Sequence, residues 1–297
     1  MASRWQSAAV ADWEGRGRYR ELAGHRVFTM EVPPDGPEHL EPLLVLHGFP
    51  TSSFDFHEVV RPLSAGRRVL LVDLLGYGLS AKPDLAYRLD LEADVVTAFT
   101  AELGLTEAAL LTHDLGDTVG GELLARQLEG RWPVSVTRRV ITNGSVYIAM
   151  AHLSTGQELL LALPDERLAD DELVNAATVA IGVAATFSPE ATVDGAEVAA
   201  LGELVAHDGG NRLLPRLIRY IEERRRNERR FTGAIEAHPS PLAIVWGTDD
   251  PIAVAAIAER LAQARPDSPL TWLDGVGHYP MIEDPVAFAG AVGAHLG

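Results

Sequence analysis

The 297-residue sequence contains no cysteine. This excludes disulfides, cysteine-ligated metal sites and a cysteine nucleophile. Basic residues are scarce as well, because 25 lysines and arginines against 42 acidic residues give a formal net charge of −17. Such a surface repels phosphate backbones and anionic lipids, so we expect no nucleic-acid and no membrane partner. The sequence has no apolar signal segment at its start and no run long enough to cross a bilayer, which predicts a soluble, cytoplasmic protein.

Motifs for metals and nucleotides are absent or interrupted. The sequence contains no zinc-type His-Glu-x-x-His and no P-loop. A glycine motif at residues 76–81 follows a predicted strand, but Lys82 and Pro83 interrupt the helix that a dinucleotide-binding motif must open. The arginine-rich run at residues 222–230 is interleaved with glutamates, which is typical of the solvated face of a helix. We therefore expect neither a metal nor a cofactor.

One short stretch carries most of the functional information. The apolar run 108–111 leads to Asp114, which has the small residues Thr112 and Gly116 two positions to either side. Apolar residues then recur at helical spacing, at Val119, Leu123, Leu124 and Leu128. This layout predicts a nucleophile elbow, a strand that turns sharply into a helix and exposes one side chain at the apex. A carboxylate at the apex forms an ester with an alkyl carbon, which suits cleavage of carbon–oxygen or carbon–halogen bonds, although an aspartate here is also a common helix N-cap.

Strand and helix patterns alternate along most of the chain. Strands are predicted at residues 25–32, 42–46, 69–74, 108–111, 136–142, 241–246 and 269–273, and helices at 91–103, after Asp114, and at 252–264 and 285–296. This alternation predicts an α/β fold with a mostly parallel central sheet and helices on both faces. Residues 1–25 predict an irregular lead-in. Residues 145–237 are helical in pattern and predict an inserted helical lid, or cap domain, on a core domain formed by 1–144 and 238–297.

Two loops that follow predicted strands contain residues that such a site needs beside its nucleophile. The loop at residues 47–50 can turn its backbone towards the elbow, so the N–H groups of Phe49 and Leu115 are candidates for an oxyanion hole. The loop after the strand 241–246 carries Asp250, which is placed to orient an imidazole, with Asp249 as the alternative. Each loop taken alone is equally an ordinary turn.

The third loop follows the last predicted strand and carries His278 among glycines. A histidine at this point is suited to reach across the top of the sheet as a general base. The chain order of nucleophile, acid and histidine is that of the α/β-hydrolases.

With these residues in view, the chain resembles the α/β-hydrolase superfamily, and within it the branch of epoxide hydrolases and dehalogenases that use an aspartate nucleophile. The resemblance extends from about Leu43 to the C-terminus. The mesoderm-specific-transcript type of hydrolase within that branch is similar in four segments, at residues 47–53, 113–117, 220–224 and 278–280.

The resemblance implies that Asp114 is the nucleophile, His278 the base and Asp250 its partner. The sequence does not reveal the oligomeric state, and a homodimer is one assembly to test. Dehalogenases of the haloalkane and fluoroacetate types place tryptophan or arginine directly after the nucleophile, whereas this sequence has Leu115 there. The interpretation is therefore a cofactor-free epoxide hydrolase that converts a small apolar epoxide and water into a vicinal diol through an aspartyl ester. The alternatives are a haloalkane or haloacid dehalogenase with the same residues, and a non-catalytic small-molecule binding module.

Lid tyrosines of epoxide hydrolases donate hydrogen bonds to the epoxide oxygen. By resemblance, Tyr220 fits one such position, while an ordinary packed tyrosine is the competing interpretation. No second tyrosine stands where the family pattern places it, so Tyr147 and His152 are the candidates for a second donor.

Overall fold

The computed structural model describes residues 4–166, 168 and 173–297. Within these residues the strands of one eight-stranded sheet are β1 (Arg18–Leu22), β2 (His25–Val32), β3 (Leu43–Leu46), β4 (Val69–Val72), β5 (Glu107–His113), β6 (Ser135–Thr142), β7 (Leu242–Gly247) and β8 (Leu270–Leu273). Their order across the sheet is β1-β2-β4-β3-β5-β6-β7-β8. The pairs β1–β2 and β2–β4 are antiparallel, and all later pairs are parallel.

Helices cover the sheet and build the insertion. They are α1 (Ala8–Arg16), α2 (Val60–Leu63), α3 (Leu89–Glu102), α4 (Leu115–Leu128), α5 (Thr155–Ala162), α6 (Ala176–Ala184), α7 (Gly195–Ala206), α8 (Leu214–Leu217), α9 (Tyr220–Ala237), α10 (Ala255–Ala264), α11 (Pro280–Glu283) and α12 (Pro285–Leu296). Every residue of β3, β4 and β7 is buried, as expected of central strands covered on both faces. The predicted α/β-hydrolase architecture, with a mostly parallel sheet, is confirmed.

The prediction of an irregular lead-in at residues 1–25 was wrong. Ser7 caps α1 by accepting a hydrogen bond from the Val10 N–H, and Val10 and Trp13 are buried one turn apart. Strand β1 then pairs with β2 along its whole length. The segment is ordered by its contacts with the rest of the fold, and its own apolar pattern is too sparse to indicate this.

The insert, residues 145–237, lies between β6 and β7 and contains helices α5 to α9. Its longest helix, α9, packs along α4, the helix that follows the elbow. This packing is close, because a Cβ atom on Gly121 of α4 would lie 2.9 Å from the carbonyl oxygen of Phe231. The insert is therefore fixed to the core through α9. None of the helices in the described ranges has the length and apolarity that a bilayer crossing requires.

Candidate active site

Asp114 stands at a strained turn between β5 and α4. Its backbone has φ 48° and ψ −108°, in a region that a residue with a Cβ atom occupies only at a cost. The turn needs small neighbours. A Cβ atom on Gly116 would collide with the carbonyl of Leu46, and one on Gly48 would lie 2.9 Å from the Cβ atom of Asp114. The bend expected from the sequence is present, and its glycines are required by close contacts.

The Asp114 side chain is only 2% exposed, and its two carboxylate oxygens have different surroundings. Oδ2 accepts a hydrogen bond of 2.9 Å from the Phe49 N–H. Oδ1 has no hydrogen-bond partner within the described residues, and it is not one of the fully buried side-chain atoms that lack a partner. Phe49 therefore occupies the position expected of an oxyanion-hole donor. Leu115 begins α4 directly after Asp114, and the contribution of its N–H stays a prediction.

The loop that carries Phe49 is held in shape by a buried histidine and a buried tyrosine. His47 Nε2 accepts the Leu74 N–H at 3.0 Å, so His47 Nδ1 carries the proton that it donates to the Gly48 carbonyl at 2.8 Å. The Tyr279 hydroxyl donates to the Phe49 carbonyl at 3.2 Å. These bonds fix the direction of the Phe49 N–H towards Asp114.

His278 and Asp250 form a buried pair. His278 Nδ1 donates to Asp250 Oδ2 at 2.8 Å, while Asp249 instead accepts a hydrogen bond from the Ser188 hydroxyl. Burial alone lowers the pKa of His278, but the charge and hydrogen bond of Asp250 and the charge of Asp114 outweigh it and raise that pKa. Burial alone raises the pKa of Asp250, but the positive charge and hydrogen bond of His278 outweigh it and lower that pKa. The imidazole is thus an avid proton acceptor oriented by an ionised carboxylate.

Sequence reasoning missed two residues that hold this pair. Asn143, at the end of β6 with φ 40°, donates from Nδ2 to Asp250 Oδ2 at 2.8 Å and accepts the Gly247 N–H at 3.0 Å. His113 Nε2 donates to the carbonyl of His278 at 2.8 Å, and burial lowers the pKa of His113 to about 4, so this ring stays neutral. An asparagine at a strand end, a residue that tolerates positive φ, was the available signal for Asn143.

Tyr220 is the first residue of α9 and is buried beside the Phe49 loop. Its ring lies 5.7 Å from the ring of Phe49, centroid to centroid. Burial and the negative charge of Asp114 raise the pKa of Tyr220 well above its ordinary value, so its phenol keeps its proton. Its hydroxyl has no hydrogen-bond partner within the described residues. The arrangement offers a proton donor in the environment of the Asp114 carboxylate.

The structure does not bring the candidate second donors to Asp114. The Tyr147 hydroxyl donates to Glu236 Oε1 at 2.5 Å. The His152 side chain is exposed, and the backbone N–H of His152 donates to the carbonyl of Ile252. A side chain already bonded elsewhere and one directed to solvent are both poorly placed to donate to a substrate at Asp114.

Arg224 corrects the interpretation of residues 222–230 as a solvated face. Four of its nine residues are exposed and four are partly buried, but Arg224 is 1% exposed and reaches inward to the elbow. Its Nη2 donates to the Asp114 carbonyl at 3.2 Å. The sequence pattern gives no hint of this, because the acceptors belong to distant parts of the chain.

A cavity of about 190 Å³ lies between the insert and the core. From the core it is lined by Phe49, His278 and Tyr279 together with Pro50 and Ile252, and Asp114 itself is not one of its walls. Its other walls come from the insert: Ser154, Gly156, Gln157, Leu159, Leu160, Leu173, Val174, Thr178, Val179, Gly182, Val183, Thr186 and Leu214. The cavity is mostly apolar and reaches residues that hydrogen-bond to, or act electrostatically on, Asp114. Within the described residues no cluster of three or more His, Asp or Glu side chains could hold a metal ion.

Comparison with known proteins defines the class. The chain belongs to the alpha/beta hydrolase family, whose pattern it matches over residues 43–291. LipZ of Mycobacterium tuberculosis, which is named as a hydrolase, is 38% identical over 286 residues, covering 96% of this chain and 97% of LipZ. The mesoderm-specific transcript homolog protein of Bos taurus is 30% identical over 298 residues, covering 96% of this chain and 87% of that protein. The resemblance to the mesoderm-specific-transcript type is confirmed.

Solved structures share the fold at lower identity. A loop variant of the haloalkane dehalogenase DbeA from Bradyrhizobium elkanii superposes with a TM-score of 0.73 at 22% identity, covering 94% of this chain and 95% of that one. The epoxide hydrolase CorEH superposes with a TM-score of 0.72 at 16% identity, covering 94% of this chain and 97% of that one. At these identities the likeness concerns the fold.

Proposed function

We propose that this hydrolase converts a small apolar epoxide into a vicinal diol through an ester on Asp114. The assigned parts are Asp114 as nucleophile, Phe49 and Leu115 as oxyanion-hole donors, Tyr220 as acid, and His278 with Asp250 as base and orienting carboxylate. The insert acts as the lid over this site. The volume of about 190 Å³ supports a substrate of the size of a substituted aromatic ring, since dry cavities of roughly 150 Å³ bind benzene.

Ring opening uses the unpaired oxygen of Asp114. That oxygen attacks an epoxide carbon, the carbon–oxygen bond breaks, and its electron pair goes to the epoxide oxygen. Tyr220 gives its proton to this oxygen, which leaves an ester, a hydroxyl group and a phenolate.

Ester hydrolysis then uses His278. The imidazole takes a proton from water, and the resulting hydroxide attacks the ester carbonyl carbon, whose oxygen accepts hydrogen bonds from the oxyanion hole. Collapse of this intermediate releases the diol oxygen, which takes the proton from His278. Asp114 is regenerated as a carboxylic acid. It gives its proton to the Tyr220 phenolate, which restores the enzyme.

The observation that carries this proposal is the Tyr220 phenol, which is buried beside the Phe49 loop and whose hydroxyl has no hydrogen-bond partner within the described residues. An alkoxide leaving from carbon needs a proton, whereas a halide ion needs none. Burial and the charge of Asp114 keep the Tyr220 phenol protonated by raising its pKa, and no acceptor among the described residues takes the hydrogen bond of its hydroxyl. This favours an oxygen leaving group over a halide.

A single turnover of styrene oxide in ¹⁸O-labelled water tests the proposal. We expect the label in the Asp114 carboxylate and not in the diol, because water attacks the ester carbonyl. His278→Ala should trap the ester, seen as added mass on the peptide that contains Asp114. Asp114→Ala serves as the control and should form neither ester nor diol.

Three other results would contradict the proposal. Label in the diol that forms in the first turnover indicates direct attack of water on the epoxide. Halide release from haloalkanes without diol from epoxides indicates a dehalogenase. Thermal stabilisation by epoxides without turnover indicates a binding module.

A further inference from the structure

We infer that Arg224 is a positioning residue that locks Tyr220 and the backbone of Asp114 into one unit. The inference rests on the proposed function, since it concerns the geometry of ring opening. Arg224 ends the segment 220–224 that resembles the mesoderm-specific-transcript type, but that resemblance assigns the arginine no role.

The Arg224 guanidinium joins three segments of the chain. Nε donates to the Thr118 hydroxyl at 2.6 Å, Nη1 to the Ser145 carbonyl at 3.1 Å and Nη2 to the Asp114 carbonyl at 3.2 Å. These acceptors lie on α4, at the start of the insert and at the elbow. A planar fork with several donors can satisfy such a set at once, which a lysine ammonium on a single stem cannot do.

A role in packing alone does not explain a charge at this position. Arg224 is buried, and within the described residues no carboxylate forms an ion pair with it. Buried charges without a paired opposite charge are costly, so an apolar side chain would fill the same space more cheaply. Asp117 lies nearby, but burial raises its pKa to about 8 although Arg224 acts in the lowering direction, so at neutral pH this carboxyl is mostly protonated and does not neutralise Arg224. The guanidinium therefore has a role that an apolar side chain cannot fill, which is to donate hydrogen bonds to three segments of the chain.

Arg224 fixes the position of Tyr220 relative to Asp114. Arg224 follows Tyr220 by one helical turn, and its Cζ atom lies 5.0 Å from the centroid of the Tyr220 ring, within the range of a cation–π contact. The same guanidinium holds the carbonyl of Asp114, the residue with the strained backbone. Strained backbones at functional sites persist only where the surroundings over-determine them. One side chain thus fixes both the acid and the nucleophile.

Arg230 provides a matched comparison on the same helix. It also ties α9 to α4, but through ion pairs with Glu122 and Glu129, away from the elbow. Arg224→Ala and Arg230→Ala therefore separate loss of helix docking from loss of site geometry.

The test is a double-mutant cycle on the ester-forming step, measured by rapid quench with styrene oxide. We expect Arg224→Ala to slow ester formation by about 10²-fold, since small misplacements of reacting groups have effects of that order. The loss should be at least roughly tenfold smaller in a Tyr220→Phe background, because interacting residues are not additive. Arg224→Lys should behave like Arg224→Ala, and Arg230→Ala should form the ester within about twofold of the wild-type rate.

Thermal midpoints of all variants are measured alongside. Additive losses for Arg224→Ala and Tyr220→Phe, ester formation at the wild-type rate, an equal loss in Arg230→Ala, or a loss that follows the unfolded fraction would each overturn the inference. A wild-type enzyme that forms no ester on Asp114 overturns the proposed function instead, so the two failures are distinct.

Discussion

The core and the insert build their halves of the site in different ways. In the core, polar side chains at the ends of strands bond to one another. Asp250 alone accepts hydrogen bonds from His278, Asn143 and two backbone N–H groups, those of Ile252 and Ala253. Networks of this kind are rigid when every member is satisfied. The core therefore holds the reactive groups in one arrangement.

In the insert, polar side chains next to the cavity bond to their own helices. Ser154 and Gln157 form a capping box on α5, and the Thr178 side chain completes one with Asn175 on α6. The Thr186 hydroxyl donates to the Val183 carbonyl. With these groups satisfied locally, the insert presents mainly apolar surface to a substrate. Under the proposed function, the core therefore supplies the nucleophile and the base, the start of α9 supplies the acid, and α5 and α6 determine what fits.

The largest effect that sharpens this comparison is expected in the core. Asp250→Asn removes the charge that orients and activates His278, so we expect turnover of styrene oxide to fall by about 10²–10⁴-fold. Ester formation should continue, because Asp114 is unchanged, and the ester should accumulate in rapid-quench experiments. Asp249→Asn is the matched control on the same loop, since Asp249 bonds to Ser188. Equal losses in the two variants would show that the choice of Asp250 is wrong.

Tyr220→Phe tests the contribution of the insert to chemistry. Removing the proton donor should slow ester formation from styrene oxide by about 10²-fold, the order found for loss of one stabilising donor. Hydrolysis of an ester already formed should change little, because that step uses the core groups. A slower hydrolysis with unchanged ester formation would reverse this assignment.

The pH dependence of hydrolysis should expose the coupling of His278 to Asp114. The charges of Asp250 and Asp114 raise the pKa of His278 to about 9 in the free enzyme, and only the neutral imidazole acts as a base. Ester formation removes the charge of Asp114, so the pKa of His278 must fall in the intermediate. The rate constant of ester decay should drop by about tenfold per pH unit below an inflection that lies under the free-enzyme value. NMR titration of the free imidazole supplies the reference, and an inflection at or above it would contradict the argument.

The sequence was most informative where function depends on local structure. The elbow, the Phe49 loop and the loops of Asp250 and His278 each follow a strand whose apolar run is visible in the sequence. The carboxyl ends of parallel strands meet at one edge of a sheet, so chain order alone brings these loops together. The hydrogen bonds between Asp250 and His278 and between Phe49 and Asp114 agree with that expectation.

The sequence was least informative where a residue acts through distant partners. Arg224 looks like one more solvated arginine, since its acceptors are backbone and hydroxyl groups from segments far away in the chain. In the lead-in, β1 forms because β2 supplies its pairing partner. Tyr147 is a candidate only because no second tyrosine stands where the family pattern places it, and its actual partner, Glu236, lies at the other end of the insert. Non-local contacts of this kind leave no periodic pattern.

The smallest effect is expected for Tyr147→Phe, which decides whether the insert supplies one phenol or two. The Tyr147 hydroxyl is bonded to Glu236, and burial together with that bond raises the pKa of Tyr147. Loss of one such hydrogen bond should lower the free energy of unfolding by about 1 kcal/mol, measured by urea denaturation. Ester formation should stay within about twofold of the wild-type rate, because the donated proton never faces Asp114. A tenfold slower ester formation in a folded variant would mean that Tyr147 exchanges Glu236 for the epoxide oxygen, and the insert would then share the chemistry more fully with the core.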